Sequence, residues 1–473
     1  MSTKTQLAVI GAGPGGYTAA FLAADMGMQV TLIDKQVNPG GTCLYWGCIP
    51  SKAYLHVAKL LNEAKEATNW GVDFGEPKID IDKLRSFKEK VVAQNTGGTG
   101  QLVKQRKINY IQGEAKFNSS NSVTVNKVDG GTEEVTFENA ILATGSLPAN
   151  IPGLTIDSPL VMDSTDALEL EDIPKRLLVV GGGVIGMELG SVYAALGSKV
   201  TVVELMPSLL PGADKDLVNV FQKSIEPKFE KILLKTKVAR LEDTGKVLKV
   251  KLEGEDLEDT ELEFDKALIS IGRSPVTKNL GLENTKIELT ERGFVKVDQK
   301  RQTNDPNIYA IGDIVLGPML AHKASAEGKV AVEAIAGHKV AFEPAAIPGV
   351  VYTDPEVAWS GLTEIEAKEK GIKVEVARFP WAASGRARTM DRTDGLTKII
   401  IDPETDRVLG VGIVGPGAGE MIAEGTLAIE MAALAKDVSL TIHAHPTLSE
   451  TMMEAAEVYF GEATHLYRPK RKK

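Results

Sequence analysis

The chain contains only two cysteines, Cys43 and Cys48, and they lie five positions apart. A disulfide that closes so short a loop adds only about 2 kcal/mol of stability before strain is subtracted. A chain of 473 residues gains little from such a bond, so the pair is better explained as a disulfide that opens and closes. The spacing therefore predicts redox chemistry, with an electron-carrying cofactor beside the two sulfur atoms.

Cys48 stands at the start of a predicted helix. Pro50 suits a first helical turn, and the residues SKAYLHVAKLL continue the helix. A helix N-terminus lowers the pKa of a thiol, and the positive charge of Lys52 adds to that effect. We therefore expect thiolate character at Cys48, which electron exchange with a flavin requires. The alternative is a pair of buried structural cysteines, which this setting disfavours.

A histidine and a glutamate near the C-terminus could supply acid–base chemistry. His445 precedes Pro446 and lies five residues before Glu450. A histidine oriented by a carboxylate can activate a thiol, so this pair is the candidate base. The segment alone leaves a structural role for His445 equally open, and we assign a structural role to His443.

Two glycine-rich turns are the candidate nucleotide sites. In this pattern the first glycine makes the turn, the second admits a pyrophosphate and the third lets the following helix pack closely. An acidic residue lies 23 positions after the first glycine of each turn, where it can bind a ribose hydroxyl. The residues are Gly11, Gly13, Gly16 and Asp34 in the first copy, and Gly181, Gly183, Gly186 and Glu204 in the second.

The second acidic residue indicates which dinucleotide binds there. A carboxylate at Glu204 accepts hydrogen bonds from a free 2′-hydroxyl and repels a 2′-phosphate. The neighbouring residues LMPSLLPG contain no arginine to bind that phosphate. The second site is therefore predicted to take NAD rather than NADP.

Two further motifs place small residues at strand ends, where a long flavin cofactor could lie against the backbone. They are ATGS at 143–146 and AIGD at 310–313, in which Asp313 could bind a ribityl hydroxyl. The segment 319–328 then begins a helix whose N-terminal amides could stabilise the negative charge of a reduced flavin. Each motif alone could be an ordinary turn, but together and in this order they favour a flavin site.

The elements that position these groups follow from hydrophobic periodicity. The two glycine turns belong to repeated strand–turn–helix–strand units, which predicts two sheets of parallel strands. The C-terminal part mixes strands and helices as a compact α+β domain does. Beyond the repeated units, strands are expected within 108–145, 231–271, 307–315, 350–358, 373–380 and 396–414. Helices are expected at 17–27, 55–66, 81–107, 322–336, 363–370, 419–435 and 448–459.

Composition excludes several classes of protein. A net charge of −10 argues against general nucleic-acid binding. No stretch of about 18 apolar residues occurs, so no membrane insertion is expected. Two cysteines and the lack of a leader-like N-terminus predict a cytoplasmic protein of a reducing compartment. A basic cluster at 468–473 is interpreted as a solvated tail, with docking to an acidic partner as the alternative.

Taken together, the motifs resemble the pyridine nucleotide-disulfide oxidoreductase family of flavoproteins. The resemblance spans essentially the whole chain, in the blocks GTCLYWGCIPSK, DSTDALEL, ALISIGR, YAIGDIV, PMLAHKASAEG, YTDPEVAWSGLTE and HAHPTLSE. It implies an α/β fold with two Rossmann-like domains, for FAD and NAD, plus a C-terminal α+β dimerisation domain. The implied domains are 1–148 for FAD (first segment), 149–272 for NAD, 273–347 for FAD and the centre (second segment) and 348–473 for the interface.

The resemblance also implies a reaction. Protein-bound dihydrolipoyl groups would be oxidised to lipoyl disulfide, with electrons passing through Cys43 and Cys48 to FAD and then to NAD. Cys43 would exchange with the substrate and Cys48 would contact the flavin. His445 of the partner subunit would be the acid/base, oriented by Glu450. The implied partners are a second copy in a homodimer and the lipoyl domains and core subunits of 2-oxoacid dehydrogenase complexes, or a glycine-cleavage system.

Cofactor contacts follow from the same resemblance. Lys52 and Glu188 would form an ion pair beside the reactive flavin nitrogen, and Ile185 would move when nicotinamide docks. The other residues implied to contact FAD are Lys35, Gly41, Thr42, Ala115, Thr144, Gly145, Asp313, Met319, Leu320, Ala321 and His322. Those implied to contact NAD, besides the second glycine turn, are Val238, Gly272 and Arg273.

Two positions depart from the family pattern. Tyr45 and Trp46 replace the small or polar pair that usually separates the cysteines, and Asp34 stands where a glutamate is common. Within the family, Glu204 disfavours the NADPH-dependent glutathione and trypanothione reductases. Mercuric and large thioredoxin reductases need further C-terminal redox residues, and soluble transhydrogenases lack the full cysteine pair. A plain NADH oxidase stays open as an alternative. A binding module of a multienzyme assembly or a surface receptor is disfavoured, because the cysteine pair, the histidine and the glutamate are all intact.

Overall fold

The computed structural model describes residues 2–255, 257 and 260–467. The predicted basic tail at 468–473 lies outside the described residues. Within the described ranges, no helix combines the length and the apolar composition that a membrane crossing requires.

The apolar run before the first glycine turn forms the strand Ser2–Ile10 at the centre of a six-stranded sheet. It pairs in parallel with Val30–Asp34 on one side and Thr132–Leu142 on the other. Its residues 7–9 are fully buried, as expected for a parallel strand covered by helices on both faces. The remaining strands of this sheet are Asn109–Ser119, Ser122–Lys127 and Ile308–Ala310.

The helices of this first unit confirm the predicted helix positions with small shifts at their ends. Pro14–Asp25 packs against Ala321–Ile335, and both carry small residues on the buried face. The predicted strand 307–315 is shorter than expected because a 3-10 turn with Gly312 at φ +78° follows it. The other helices are Gly41–Trp46, Cys48–Glu66 and Ile81–Gln105, with 3-10 turns at Ala67–Trp70, Leu282–Asn284 and Gly312–Ile314.

The second glycine turn belongs to a five-stranded sheet whose strands all run parallel. The strands, in spatial order, are Lys231–Leu233, Lys199–Val203, Arg176–Val180, Lys266–Ile269 and Val161–Met162. A three-stranded antiparallel sheet of Thr236–Asp243, Leu248–Gly254 and Glu261–Phe264 completes the strand-rich segment. The helices are Ser164–Glu169, Val184–Ala195 and Lys215–Ile225, with a 3-10 turn at Glu226–Lys228.

A two-stranded antiparallel ribbon connects the two units. Ser146–Pro148 leaves the first unit and pairs with Arg273–Pro275, where the chain returns to it. The sequence did not predict this ribbon, because three-residue strands carry too little hydrophobic pattern to be recognised.

The C-terminal unit is built on a five-stranded antiparallel sheet. Two predicted strands are each divided by a turn, and the predicted helix 419–435 ends early because Ala432 adopts φ +54°. The strands, in spatial order, are Gly349–Val351, Glu356–Gly361, Val408–Gly415, Leu396–Ile401 and Glu375–Pro380. The helices are Glu364–Lys370, Gly385–Thr389, Ala418–Glu430, Ala435–Leu440 and Glu450–Phe460, with a 3-10 turn at Trp381–Ala383.

Candidate active site

The two cysteines lie on consecutive helices rather than on one. Cys43 is in the short helix Gly41–Trp46, and Cys48 is the first residue of Cys48–Glu66. Gly47 separates them with φ −142° and ψ −111°, values outside the helical range. No disulfide joins the two cysteines in this structure, and each thiol is close enough to shift the pKa of the other. The fold therefore brings the two sulfur atoms together, as a redox pair requires.

The thiols differ in their proton affinity. The hydrogen bond from Cys43 lowers the pKa of Cys48 to about 7, and the charge of Lys52 acts in the same direction against burial and Glu188. The same hydrogen bond, together with burial, raises the pKa of Cys43. Cys48 is therefore the more acidic of the two thiols, which is the direction that the sequence predicts.

An ion pair connects the cysteine helix to the second nucleotide unit. Lys52 Nζ lies 2.8 Å from Glu188 Oε2, and the Glu188 side chain is only 4% exposed. The other carboxylate oxygen of Glu188 accepts a hydrogen bond of 2.9 Å from the backbone N–H of Tyr352. Ile185 lies one turn earlier on the same helix and packs against the core of that unit.

The first glycine turn has the features of a pyrophosphate site. Gly11 adopts φ +97°, and a Cβ on Gly16 would lie 1.9 Å from the carbonyl oxygen of Gly11. Gly13 caps the following helix without any side-chain hydrogen bond, so the first amides of that helix stay available to an anion. Asp34 accepts hydrogen bonds from the backbone of Ala12 and Gln36, and its remaining lone pairs can accept ribose hydroxyls.

The cysteine helix is attached directly to this turn. The backbone N–H of Gly40 donates a 2.8 Å hydrogen bond to the carbonyl of Ala12. Gly41 adopts φ +56°, and a Cβ there would lie 2.5 Å from Cα of Gly13. No side chain fits between the two segments, so the dithiol is fixed beside the cofactor turn.

The second glycine turn repeats this construction. A Cβ on Gly186 would lie 2.0 Å from the carbonyl oxygen of Gly181. Gly183 caps its helix without a side-chain hydrogen bond, and no atom lies within 4 Å of the position of its missing Cβ. Glu204 accepts hydrogen bonds from the backbone of Gly182 and Met206 at 2.6 and 2.7 Å. The site has the space, the free amides and the carboxylate that a dinucleotide needs.

Other predicted cofactor residues line the same region of the first unit. Asp313 accepts a hydrogen bond from the hydroxyl of Ser146 at 2.5 Å. Arg273 was predicted to contact NAD, but its guanidinium donates to the hydroxyl and the carbonyl of Ser146, both at 2.7 Å. In this structure Arg273 therefore joins the two strands of the connecting ribbon.

The remaining predicted residues are found in strands, in turns or at helix starts. Thr144 donates to the carbonyl of Val276, Gly145 and Gly272 have positive φ, and His322 contacts the carbonyl of Pro348. Lys35 forms an exposed ion pair with Glu114, while Thr42 is exposed at the start of the Cys43 helix. Ala115 and Val238 lie in strands, and Met319, Leu320 and Ala321 lead into the helix Ala321–Ile335.

His445 and Glu450 form a pair on the C-terminal unit. His445 Nδ1 lies 2.8 Å from Glu450 Oε1, and Glu450 Oε2 accepts a 2.7 Å hydrogen bond from the backbone N–H of Thr447. Although burial opposes it, these two hydrogen bonds lower the pKa of Glu450. The His445 side chain is 73% exposed, so its other ring nitrogen faces outward. His443 is instead enclosed, with bonds to Glu424 and to the carbonyl of Thr441.

The structure thus contains two separate groups of candidate residues. Cys43, Cys48, Lys52 and Glu188 meet within one chain, whereas no described hydrogen bond or ion pair links His445 to the cysteines. Shortly before His445 in the chain, two apolar side chains are exposed, Ile442 at 96% and Leu440 at 68%. Sequence reasoning missed Tyr352, although it opens the block YTDPEVAWSGLTE; no local pattern connects it with Lys52.

Comparisons with known proteins agree with this architecture. Residues 5–328 match the description "pyridine nucleotide-disulphide oxidoreductase", and residues 347–456 match the dimerisation domain of the same name. The chain is 51% identical over 470 residues to a dihydrolipoyl dehydrogenase of Vibrio cholerae, covering 99% of this chain and 98% of that protein. It is 49% identical to the one of Haemophilus influenzae, with coverages of 99% and 98%.

A solved structure is similar over nearly the full length. The flavoprotein disulfide reductase RclA of Escherichia coli, described as induced by HOCl, superposes with a TM-score of 0.83 at 30% identity. The match covers 94% of this chain and 98% of that one.

Proposed function

Because the chain belongs to the pyridine nucleotide-disulphide oxidoreductase family, we propose that it is an NAD-dependent dihydrolipoyl dehydrogenase. The observation that carries the proposal is the attachment of the Cys43–Cys48 pair to the first glycine turn. That attachment places a dithiol beside the cofactor that the turn would hold. The dihydrolipoyl substrate is supported by the full-length similarity to proteins of that name.

The protein uses FAD and NAD, and the residues present fit both. Two helix N-termini without side-chain caps, each at the end of a glycine-rich turn, suit the two pyrophosphates. FAD would be held at Gly11, Gly13, Asp34 and Asp313, and NAD at Gly181, Gly183 and Glu204. When bound, FAD supplies the acceptor for an electron pair from the dithiol and passes it to NAD as hydride.

The protein's own residues carry the thiol chemistry. His445 takes a proton from one dihydrolipoyl thiol, and the resulting thiolate attacks Cys43 of the disulfide, forming a mixed disulfide and releasing the Cys48 thiolate. The second substrate thiol then loses its proton and attacks the substrate sulfur of the mixed disulfide, and Cys43 leaves and takes up the proton held by His445. One sulfur–sulfur bond has been broken in the protein and one formed in the substrate, and two electrons have moved to the cysteines. Lys52 stabilises the Cys48 thiolate left by this exchange.

A homodimer would complete the site. The dimerisation domain and the exposed apolar surface at Leu440 and Ile442 support association with a second copy. In the dimer, His445 of one subunit would face the cysteines of the other. We place the domain boundaries at 1–148, 149–272, 273–347 and 348–473, which agrees with where the three main sheets fall in the chain.

The biological setting is inferred from the same chemistry. A dihydrolipoyl group is carried on a flexible protein arm, so lipoyl domains and core subunits of 2-oxoacid dehydrogenase complexes, or of a glycine-cleavage system, are the proposed partners. The chain has no cysteine beyond this redox pair and so no structural disulfide framework of the secreted kind, which supports a cytoplasmic location.

Comparing electron acceptors tests the proposed function. NADH oxidation by the FAD-loaded protein should be fast with lipoamide and slow with glutathione disulfide, and slow with oxygen alone. A rate with air equal to that with lipoamide would instead identify an NADH oxidase. A preference for glutathione disulfide and NADPH would identify a reductase of another substrate class.

A further inference from the structure

A tyrosine of the C-terminal unit reaches the ion pair beside the cysteines. Tyr352 directly follows the strand Gly349–Val351. Its ring lies under the ammonium of Lys52, with Nζ 4.7 Å from the ring centroid. This separation is within the range over which an aromatic face attracts a cation.

The same residue also holds the other member of the ion pair. The backbone N–H of Tyr352 donates a 2.9 Å hydrogen bond to Glu188 Oε1, while Lys52 binds Glu188 Oε2 at 2.8 Å. Lys52 therefore lies between a buried carboxylate and an aromatic ring. Three distant parts of the chain meet at this one charge.

Tyr352 is fixed in place by the residues that follow it. The hydroxyl of Thr353 donates to the carbonyl of Pro355 at 2.7 Å. Asp354 forms an ion pair of 2.8 Å with Arg392, and its carbonyl accepts a hydrogen bond from Lys228. Thr353 and Asp354 are both buried. The ring is therefore presented by a rigid segment rather than by a free loop.

The position of the Lys52 charge matters for the thiol chemistry. Lys52 favours the thiolate of Cys48, whereas Glu188 disfavours it. The Lys52 side chain is 32% exposed, so without the ring its flexible chain could turn toward water. A displaced ammonium would leave Cys48 exposed to the effect of Glu188.

We propose that Tyr352 is a positioning residue of the redox site, whose ring holds the Lys52 ammonium next to Cys48 while its amide holds Glu188. The inference rests on the proposed function only for the presence of FAD beside Cys48. It assigns a function to the YTDPEVAW segment that neither the thiol chemistry nor nucleotide binding requires. Tyr352 acts through Lys52 and need not touch the substrate.

The test is spectroscopic and uses the FAD-loaded full-length protein. Anaerobic titration with dithionite, which needs neither NAD nor a lipoyl substrate, is followed through the charge-transfer absorbance of the thiolate at two-electron reduction. Tyr352→Leu keeps the backbone N–H but removes the ring. In Tyr352→Leu, the ratio of thiolate to thiol at Cys48 should fall about fivefold at fixed neutral pH. This is the effect expected for the loss of one partly desolvated cation–π contact. Tyr352→Phe keeps the ring and should retain the band.

A double-mutant cycle separates positioning from simple packing. In a Lys52→Met background, Tyr352→Leu should cause no further loss of the band, because the group through which the ring acts is gone. Equal losses in both backgrounds, or an unchanged band in Tyr352→Leu, would overturn the proposal. If Tyr352→Leu does not retain FAD, Tyr352→Met replaces it in the same measurements, and the same outcomes support or overturn the proposal. A wild-type dithionite band without lipoamide turnover would refute the proposed substrate but leave this inference intact.

Discussion

At the scale of single residues, the chemistry depends on the charge around one sulfur atom. The pKa of Cys48 responds to the Cys43 thiol and to both members of the Lys52–Glu188 pair. The hydrogen bond from Cys43 is the largest influence, which makes the two cysteines unequal even though they are chemically identical. This inequality supports the proposed roles, in which Cys43 exchanges with the substrate and Cys48 contacts the flavin.

The pH dependence of the reduced protein should reveal this asymmetry. The pKa of Cys48 is lowered to about 7, which is below the pKa of an ordinary thiol. Cys48 therefore gains its negative charge as the pH rises through neutrality. The alkylation rate of Cys48 should therefore rise with pH around a midpoint near 7. Cys43→Ala removes the hydrogen bond and should move the midpoint upward. An identical midpoint in both proteins would show that the hydrogen bond does not set the charge.

The role of His445 can be tested against its neighbour. His445→Gln removes the base and should reduce lipoamide turnover about a hundredfold, a typical cost for losing a general base. His443→Gln, two residues away and enclosed by Glu424, is the matched control and should keep most of the activity. Equal losses in the two variants would indicate that the segment acts only through folding.

The spacing of residues in sequence predicted these local groups well. The cysteine pair, the glycines and the His445–Glu450 contact each lie within a short segment, where periodicity and turn geometry limit the possibilities. Tyr352 and the guanidinium of Arg273 were not foreseen in their observed contacts. Both contact residues more than a hundred positions away, and only the tertiary fold brings them there.

At the scale of elements, two strand–turn–helix units each present an uncapped helix N-terminus. The third glycine of each turn is required because its helix lies in contact with the first glycine. The sequence repeat predicted both units, but it could not show where Gly47 divides the cysteine segment into two helices. It also could not show the ribbon Ser146–Pro148, which is stabilised by pairing with a strand far along the chain.

Two glycines on one helix allow a controlled test of the second turn. Gly186→Ala would place a methyl group 2.0 Å from the Gly181 carbonyl, whereas at Gly190 the nearest atom to such a methyl is 3.6 Å away. Overpacking of this kind costs about 1–3 kcal/mol, and if the turn must shift to bind NAD, the affinity for NAD should fall about five- to 150-fold in Gly186→Ala. Gly190→Ala should bind NAD normally in calorimetry. Unchanged NAD affinity in Gly186→Ala would mean that NAD does not use this turn.

At the scale of the whole molecule, the C-terminal unit contributes one residue to the redox site of its own chain and another to the proposed interface with a second copy. Tyr352 reaches the ion pair of its own chain, while His445 projects from an exposed apolar surface. An enzyme whose base and dithiol come from different subunits should be active only as a dimer. Formation of the dimer would then be a precondition for catalysis.

A charge placed on the exposed surface tests this dependence. Ile442→Asp would put an unpaired carboxylate into the proposed interface, where burial is unfavourable, and should shift the protein toward monomer in light scattering. Lipoamide turnover should fall in proportion to the fraction of monomer, while NADH still reduces the flavin. Val128→Asp changes an apolar side chain on the first unit that is also exposed, at 63%, and should remain dimeric. A monomeric variant with full turnover would refute the shared site.

The most direct measurement is an anaerobic titration of the FAD-loaded protein with dihydrolipoamide. If the dithiol lies against the flavin, a long-wavelength charge-transfer band should appear after two electrons and be absent in Cys48→Ser. Direct bleaching of the flavin without that band, or a spectrum unaffected by Cys48→Ser, would contradict the central claim that Cys48 connects the substrate to the cofactor.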